Sequence, residues 1–312
     1  MIFTVTLNPS LDRVIWVDKI KTDDSIRILA EKHYAGGKGI DASRVVKNLG
    51  GDTAATGFLG SFTGLHLEGL LINDGVTCDF IKIAGETRSN VIIFTNTSKE
   101  HMAFNSQGPE ITPYDLARLF NKITSLSTKP SYVLLAGSIP ACVTTNIYAQ
   151  LTHALKEMGI KVALDADNEA LKLGIKEHPN IIKPNIHEFI RLIGYNVETD
   201  QEIIKAGQPF IEGGVEIIIV SMGAKGLLVF NKDQAYKVTP PKIEVNSTIG
   251  SGDSAMAAFL LGLSQNKDLA ECGVMAAAAG AGTALTPGVE LVREQDFKKL
   301  LNEVKCEKIQ LN

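Results

Sequence analysis

No two cysteines in this sequence are placed to work together. Cys78, Cys142, Cys272 and Cys306 are scattered and form no C-x-x-C pair. A zinc knuckle and a disulfide-stapled secreted fold are therefore not indicated, and reduced thiols in the cytoplasm are expected. Long apolar runs are also missing. The Ile-Ile-Ile-Val centre of Glu216–Ser221 is among the longest and falls far short of a bilayer span. The opening Met1–Ser10 has no basic stretch leading into a long apolar one, so no secretory signal is expected. Charge blocks, low-complexity tracts and fixed-period repeats are absent. A formal charge of −4 and a pI near 5.9 give no general attraction to nucleic acid or an anionic membrane. An anionic ligand would need a local basic site.

Several common site motifs are missing as well. A P-loop would need glycine six residues before Lys38 and Ser or Thr after it, but Lys32 and Gly39 stand there. The run Ala276–Thr283 lacks the third glycine of a dinucleotide fingerprint and reads as small residues on a packed helix. No G-x-S-x-G elbow occurs, which argues against a serine hydrolase.

What is present is alternation. Short apolar runs (Phe3–Leu7, Tyr132–Ala136, Lys161–Leu164, Ile181–Lys183, Ile217–Ser221) alternate with helix-like stretches such as Thr145–Met158, Glu169–Ile175 and Ile186–Leu192. This predicts β-α-β units, an α/β class and a mostly parallel sheet covered on both faces. Two regions break the rhythm. Arg13–Val17 and Arg27–Tyr34 read as strands without a long helix between them, and Asn90–Asn96 pairs with His101–Asn105 across a Thr97–Glu100 turn. They predict a small second sheet inserted in pieces, placed to act as a lid.

Chemistry gathers in four places. In Asn246–Ser254, Gly250 and Gly252 suit a tight turn before a buried helix, whose first N–H groups lack partners and form an anion site. From residues alone, Asp253 is either the cap of that helix or a carboxylate that handles a proton beside the anion. Ala35–Gly50 is a glycine turn feeding an amphipathic helix, either a hinge or a ligand contact. Asn185 and Glu188, three apart at a helix start, are either a capping pair or hard oxygen groups suited to magnesium. Ser221–Gly226 follows a strand, where α/β sheets bind ligands, although a plain hairpin explains its glycines equally well. His187 has no second histidine at metal spacing and reads as a surface or packing residue, and Lys225 reads as exposed.

These motifs resemble the ribokinase-like carbohydrate kinases, in the phosphofructokinase-B branch. The resemblance rests on Thr248 with Gly250-Ser251-Gly252-Asp253, on Ala35–Gly50, on Asn185–Glu188, on Glu86–Asn90 and Gly137–Pro140, and on Thr4–Asp12, Gly57–Gly64 and Ile219–Gly223. It implies a three-layer α/β/α sandwich with a mostly parallel central sheet and a small β-sheet lid. That would be one kinase domain over residues 1–312, with lid segments near 11–35 and 88–107. It implies that Asp253 is the base and that Gly250, Ser251 and Gly252 hold the transferring phosphoryl group. ATP would be held by Lys183, Asn185, Ser221, Gly223, Gly226 and Thr248, and Mg2+ through water by Asn185 and Glu188. Asp12, Gly37, Lys38, Asp41, Asn90 and Ser138 would line the sugar pocket. Arg27, Lys38 and Arg88 would bind the phosphate of a phosphosugar, for which arginine's planar fork is suited. One departure stands out: this chain has Asp41 where the family usually has Asn, and an ionised carboxylate only accepts hydrogen bonds. In detail the chain looks most like the 1-phosphofructokinases, with tagatose-6-phosphate kinases and 6-phosphofructokinase as runners-up. An open lid edge makes a homodimer through that sheet an expectation.

Overall fold

The first strand feeds two cores at once. In Ile2–Thr6, Phe3 and Val5 enter one apolar cluster while Ile2 enters another. The strand Tyr132–Ala136 divides the same way, with Val133 and Leu135 on one side and Tyr132, Leu134 and Ala136 on the other. Side chains alternate across a strand, so a sheet buried on both faces must carry apolar residues throughout. The computed structural model describes residues 1–95, 101–126 and 128–311.

Among the described residues, 11 strands form one sheet. From one edge the order runs Lys305–Ile309, Ala235–Thr239, Leu227–Phe230, Ile217–Ser221, Ile181–Ile182, Val162–Asp165, Tyr132–Ala136, Ile2–Thr6, Thr53–Gly60 and Thr77–Cys78, with Ile81–Ile83 also on Thr53–Gly60. Pairing is parallel from Ile217–Ser221 to the Thr77 edge and antiparallel over the three strands at the other end. One face is covered by Pro113–Thr124, Ile147–Glu157, Asn168–Ile175, Ile186–Ile193 and Asp200–Glu212. The other carries Lys38–Asn48, Ser251–Ser264, Leu269–Ala284 and Glu294–Leu301. The predicted helix of small residues is the buried Leu269–Ala284, packed along Ser251–Ser264.

A separate sheet of four strands has the order Ile28–Gly36, Ser10–Val17, Arg88–Thr95, His101–Phe104. The expected pairing of the last two is antiparallel, Phe94 opposite His101, while the expected Thr97–Glu100 turn lies outside the described residues. Alternation gives this sheet two unlike faces. Asp12, Val14, Trp16, Asn90, Ile92, Phe94, Lys32 and Tyr34 share the inner one by register. Val91, Ile93, Met102 and Phe104 share the outer one, and Met102 and Phe104 are about half exposed there.

Candidate active site

The parallel strands end in step. Thr6 and Asp165 both pair with Ala136, and Leu164 pairs with Ile182. The segments that follow these strands therefore emerge along one edge: Asn8, Ser138, Asp165, Lys183–Asn185 and Ser221. This carboxyl edge is where α/β sheets hold ligands.

At its centre is a residue the sequence reading missed. Asp165 is buried, its Oδ1 lies 2.7 Å from Lys38 Nζ, and its Oδ2 lies 2.9 Å from Lys183 Nζ. Burial would push this carboxyl up, but the two ammonium groups hold it below the ordinary carboxylate range. Lys38 shows the converse. Burial opposes its charge, yet Asp165 and Asp253 outweigh that and raise it above the usual lysine value. Asp253, in the first turn of the helix Ser251–Ser264, is pushed up to about 6. Burial is the main cause, the charges of Asp165 and Glu188 add to it, and Lys38 and Lys183 oppose it.

Gly250 precedes that helix with φ +77°, a left-handed turn that favours glycine. Ser251 N–H reaches back to the Thr248 carbonyl at 3.3 Å, whereas no backbone acceptor meets Gly252 or Asp253 N–H among the described residues. Lys183 Nζ lies 3.4 Å from where a Cβ on Gly252 would stand, so the ammonium and the open N–H groups face the same space. Ser251 Oγ is buried without a hydrogen-bond partner among the described residues, and Thr248 is exposed.

On the next strand ends, Asn185 caps the helix Ile186–Ile193. Its Oδ1 accepts from the His187 and Glu188 N–H groups, and Glu188 Oε2 accepts from Asn185 N–H at 2.8 Å. The capping reading of this pair is thus realised. Glu188 is nevertheless buried and close enough to add its field to Asp253. Among the described residues no group of three or more His, Cys, Asp or Glu side chains could hold a metal directly. A magnesium that keeps most of its waters needs no such cage, and Glu188 and Asn185 suit it in that form. Asn185 also bridges Ser221, whose N–H donates to the Pro184 carbonyl at 3.1 Å. Gly223 opens a short 3-10 turn, and Gly226 (φ +86°) closes the loop where a Cβ would stand 2.0 Å from the Val238 carbonyl oxygen. His187 and Lys225 are exposed.

The small sheet supplies the other wall. Asp12 Oδ1 accepts from Ser10 Oγ (2.7 Å) and Asn90 Nδ2 (2.8 Å). Burial pushes Asp12 up against those hydrogen bonds and the charges of Arg88 and Arg44. The Arg88 guanidinium donates to the Asn8 carbonyl from Nε and Nη2 and to the Ser106 carbonyl from Nη1, which fixes its plane. Asn8 in turn donates to Gln107 O and, at 3.4 Å, to Ser138 Oγ. Gly37 precedes the helix Lys38–Asn48, and Asp41 in its first turn lies 3.5 Å from Arg44 Nη1. Burial and the charges of Asp253 and Asp12 raise Asp41 well above the ordinary carboxylate range, against Arg44.

Arg27 is not brought to this group. It is exposed and precedes Ile28, which pairs with Val17, whereas Arg88 pairs with Ser10 at the other end of the same strand. Seven residues of strand separate those pairs, roughly 23 Å at the usual rise. Within one chain Arg27 and Arg88 therefore stand too far apart to grip the same phosphate. Asp165 itself had a legible signal, an acid just past a short core strand, but the strand was expected to stop at Leu164.

Comparison with known proteins gives the family. The family described as pfkB family carbohydrate kinase matches residues 5–295. The chain belongs to that family. It is 35% identical to the 1-phosphofructokinase of Borreliella burgdorferi, over 99% of both chains. It is 32% identical to a tagatose-6-phosphate kinase of Staphylococcus epidermidis, over 97% of this chain and 98% of that one. Its fold superposes with a TM-score of 0.91 on phosphofructokinase-2 from Escherichia coli, solved in complex with fructose-6-phosphate, at 28% identity over 97% and 98% of the two chains. The three layers and small sheet of this kinase are the ribokinase-like fold. Among its described residues no helix is long and apolar enough to cross a membrane.

Proposed function

We propose that this kinase phosphorylates a hydroxyl of a ketohexose phosphate with ATP, and that fructose 1-phosphate, giving fructose 1,6-bisphosphate, is its main substrate. One observation carries the reading: a buried carboxyl, Asp253, stands at an open helix N-terminus beside two lysines that share a third acid. A carboxylate with its pKa raised to about 6 is ionised at neutral pH, yet basic enough to take a proton in the transition state.

In this reading Asp253 removes the proton from the sugar hydroxyl as its oxygen bonds to phosphorus. The N–H groups of the Gly250–Asp253 turn, with Lys183, stabilise charge on the transferring group. ATP supplies that group and leaves as ADP. Lys183, Asn185, Ser221, Gly223, Gly226 and Thr248 hold the nucleotide, and Glu188 with Asn185 orders waters of its magnesium. Asp12, Asn90, Ser138 and Asp41 hold the sugar. The phosphate already on the sugar falls to Arg88, whose guanidinium is held flat at the pocket wall, and to Lys38.

Tagatose 6-phosphate and fructose 6-phosphate are the second reading, favoured by the likeness to a tagatose-6-phosphate kinase and to a phosphofructokinase-2 solved with fructose-6-phosphate. The half-exposed apolar outer face of the small sheet supports a homodimer through that sheet. A cytoplasmic site fits the scattered thiols. The test is a coupled assay of ATP turnover with fructose 1-phosphate, tagatose 6-phosphate, fructose 6-phosphate and fructose side by side. The highest kcat/KM is expected for fructose 1-phosphate. Fructose as best substrate would remove Arg88 from its role and overturn the phosphosugar reading.

A further inference from the structure

The segment between the helices Leu269–Ala284 and Glu294–Leu301 touches both the small sheet and the Gly250–Asp253 turn. Its base is pinned to the helix that carries Asp253: Ser254 Oγ and Thr283 Oγ1 lie 2.6 Å apart in the core, and Val292 N–H donates to Thr283 Oγ1 at 2.9 Å. Thr286 Oγ1 donates to the Thr283 carbonyl at 2.7 Å and also bonds the Glu290 carbonyl, and Asn48 donates to the Val292 carbonyl at 3.2 Å.

Three successive residues of this strap then point to different places. Val289 is buried with Val14 and Ile92 on the inner face of the small sheet, and Trp16, Tyr34, Phe94 and Ile249 pack around them. Ile249 is the neighbour of Gly250. Leu291 packs on the phosphate turn itself, where a Cβ on Gly250 would come within 2.8 Å of its Cδ2. Between them, Glu290 Oε1 accepts from Lys32 Nζ (3.0 Å) and Tyr34 Oη (3.3 Å) of the sheet's edge strand, and Oε2 accepts from Arg293 (2.8 Å).

We propose that Glu290 is a positioning residue: it ties the small sheet to the strap, so that a sheet seated on the sugar also seats Leu291 and Ile249 against the Gly250–Asp253 turn. The proposal rests on the sugar-kinase reading above and adds a role that none of the sugar-side or nucleotide-side motifs contains. The ion pair is half in solvent, with the Lys32 side chain 58% exposed, so its contribution to stability is small. Its effect lies in geometry. With the tie cut, the sheet should seat less well on the sugar, and the phosphate turn should no longer depend on whether sugar is present.

The experiment compares Glu290→Ala, Glu290→Gln and the double change Lys32→Met with Tyr34→Phe, which cuts the same tie from the exposed edge strand. Each is assayed with fructose 1-phosphate and ATP, and again for ATP hydrolysis without sugar. In Glu290→Ala the KM for the phosphosugar should rise about fivefold, as loss of a partly screened ionic contact implies, with the KM for ATP within about twofold of wild type. Hydrolysis without sugar should rise relative to transfer. Glu290→Gln, which keeps an acceptor for Tyr34, should fall between. Joining Glu290→Ala to the double change should add nothing further, because both remove one contact. An unchanged phosphosugar KM, additive effects, or equal losses for both substrates with a lowered Tm would overturn the positioning role. Should Glu290→Ala not fold, the edge-strand change alone decides the matter. A wild type inactive on every phosphosugar of the panel would overturn the substrate reading and this role with it. A wild type active on one of them, with variants identical to it, would overturn only the role of Glu290.

Discussion

Lys38 Nζ lies 2.7 Å from Oδ1 of Asp165, and through that carboxylate the glycine turn before the helix Lys38–Asn48 is joined to Lys183 at the end of a neighbouring strand. Lys183 is buried and Lys38 half-buried, and two ammonium groups so close are costly without an anion between them. Asp165→Asn should therefore let the lysines drift and lower kcat by about tenfold or more, the scale on which charge preorganisation acts. The same change moves Asp253. Asp165 raises it and the lysines lower it, so removing the Asp165 charge should bring Asp253 below about 6. The acid limb of the kcat–pH profile should shift to lower pH in Asp165→Asn. A limb that stays in place would mean that Asp165 does not feel Asp253.

Asp253→Asn should leave both substrates bound while turnover falls by about a hundredfold or more, the usual loss on removing a general base. It should also stabilise the fold at alkaline pH. A carboxyl whose folded pKa is raised from 3.8 to about 6 contributes stability that is complete below 3.8 and lost as pH rises through 6. At pH 8 the ionised Asp253 is therefore a burden, and the amide should gain on the order of 1–3 kcal/mol there and about half as much at pH 5, where the folded carboxyl is largely protonated and the unfolded one is not. Urea unfolding of wild type and variant at the two pH values measures the difference. An equal difference at both would show that Asp253 titrates normally in the folded chain.

Capping and magnesium roles of Glu188 can be separated by one substitution. Glutamine completes a capping box as well as glutamate does, so Glu188→Gln should leave Tm unchanged. It removes a full negative charge facing the proposed metal waters. The magnesium concentration at half-maximal rate should then rise about fivefold or more, in line with the loss of an ordering partner. A variant with wild-type magnesium dependence would return the pair to capping alone.

Much of the architecture was legible because its signals are local. Apolar runs such as Ile217–Ser221 can be buried on two faces only in a covered sheet, and Asn185 with Glu188 announces a helix start by spacing alone. The parts that were not legible depend on which strands are neighbours and in what direction. Asp165 becomes the site's centre only because its strand lies between those ending in Ala136 and Ile182. Arg27 and Arg88 look equivalent as isolated arginines, and only the antiparallel and parallel pairings on either side of Ser10–Val17 send them to opposite ends. Glu290 gave no signal at all, since its partners Lys32 and Tyr34 are more than 250 residues away in sequence.

Asp41 offers the sharpest test of this particular chain. It stands where the resemblance drawn from the sequence leads one to expect an amide, in a pocket that also faces Asp12 and Asp253, with Arg44 as its counter-ion. Arg44 is shared: its Nε bonds Asp74 at 2.8 Å, and its Nη1 bonds the Ala35 carbonyl at 3.0 Å. Burial and the two neighbouring acids raise Asp41 well above the ordinary carboxylate range. In its acid form the carboxyl donates one hydrogen bond and accepts another, as the amide does; once ionised it only accepts, and it repels a dianionic sugar. Wild-type kcat/KM for the phosphosugar should therefore fall on the alkaline side as Asp41 ionises. Asp41→Asn should match wild type on the acid side of the profile and exceed it by about threefold or more on the alkaline side, a modest change in one hydrogen bond. The gain should appear in KM for the sugar and leave KM for ATP alone, if Asp41, in the first turn of the helix Lys38–Asn48, faces the sugar as proposed. Parallel pH profiles for the two proteins would mean that Asp41 keeps one protonation state throughout, and that this pocket accommodates a carboxylate beside a phosphosugar by other means.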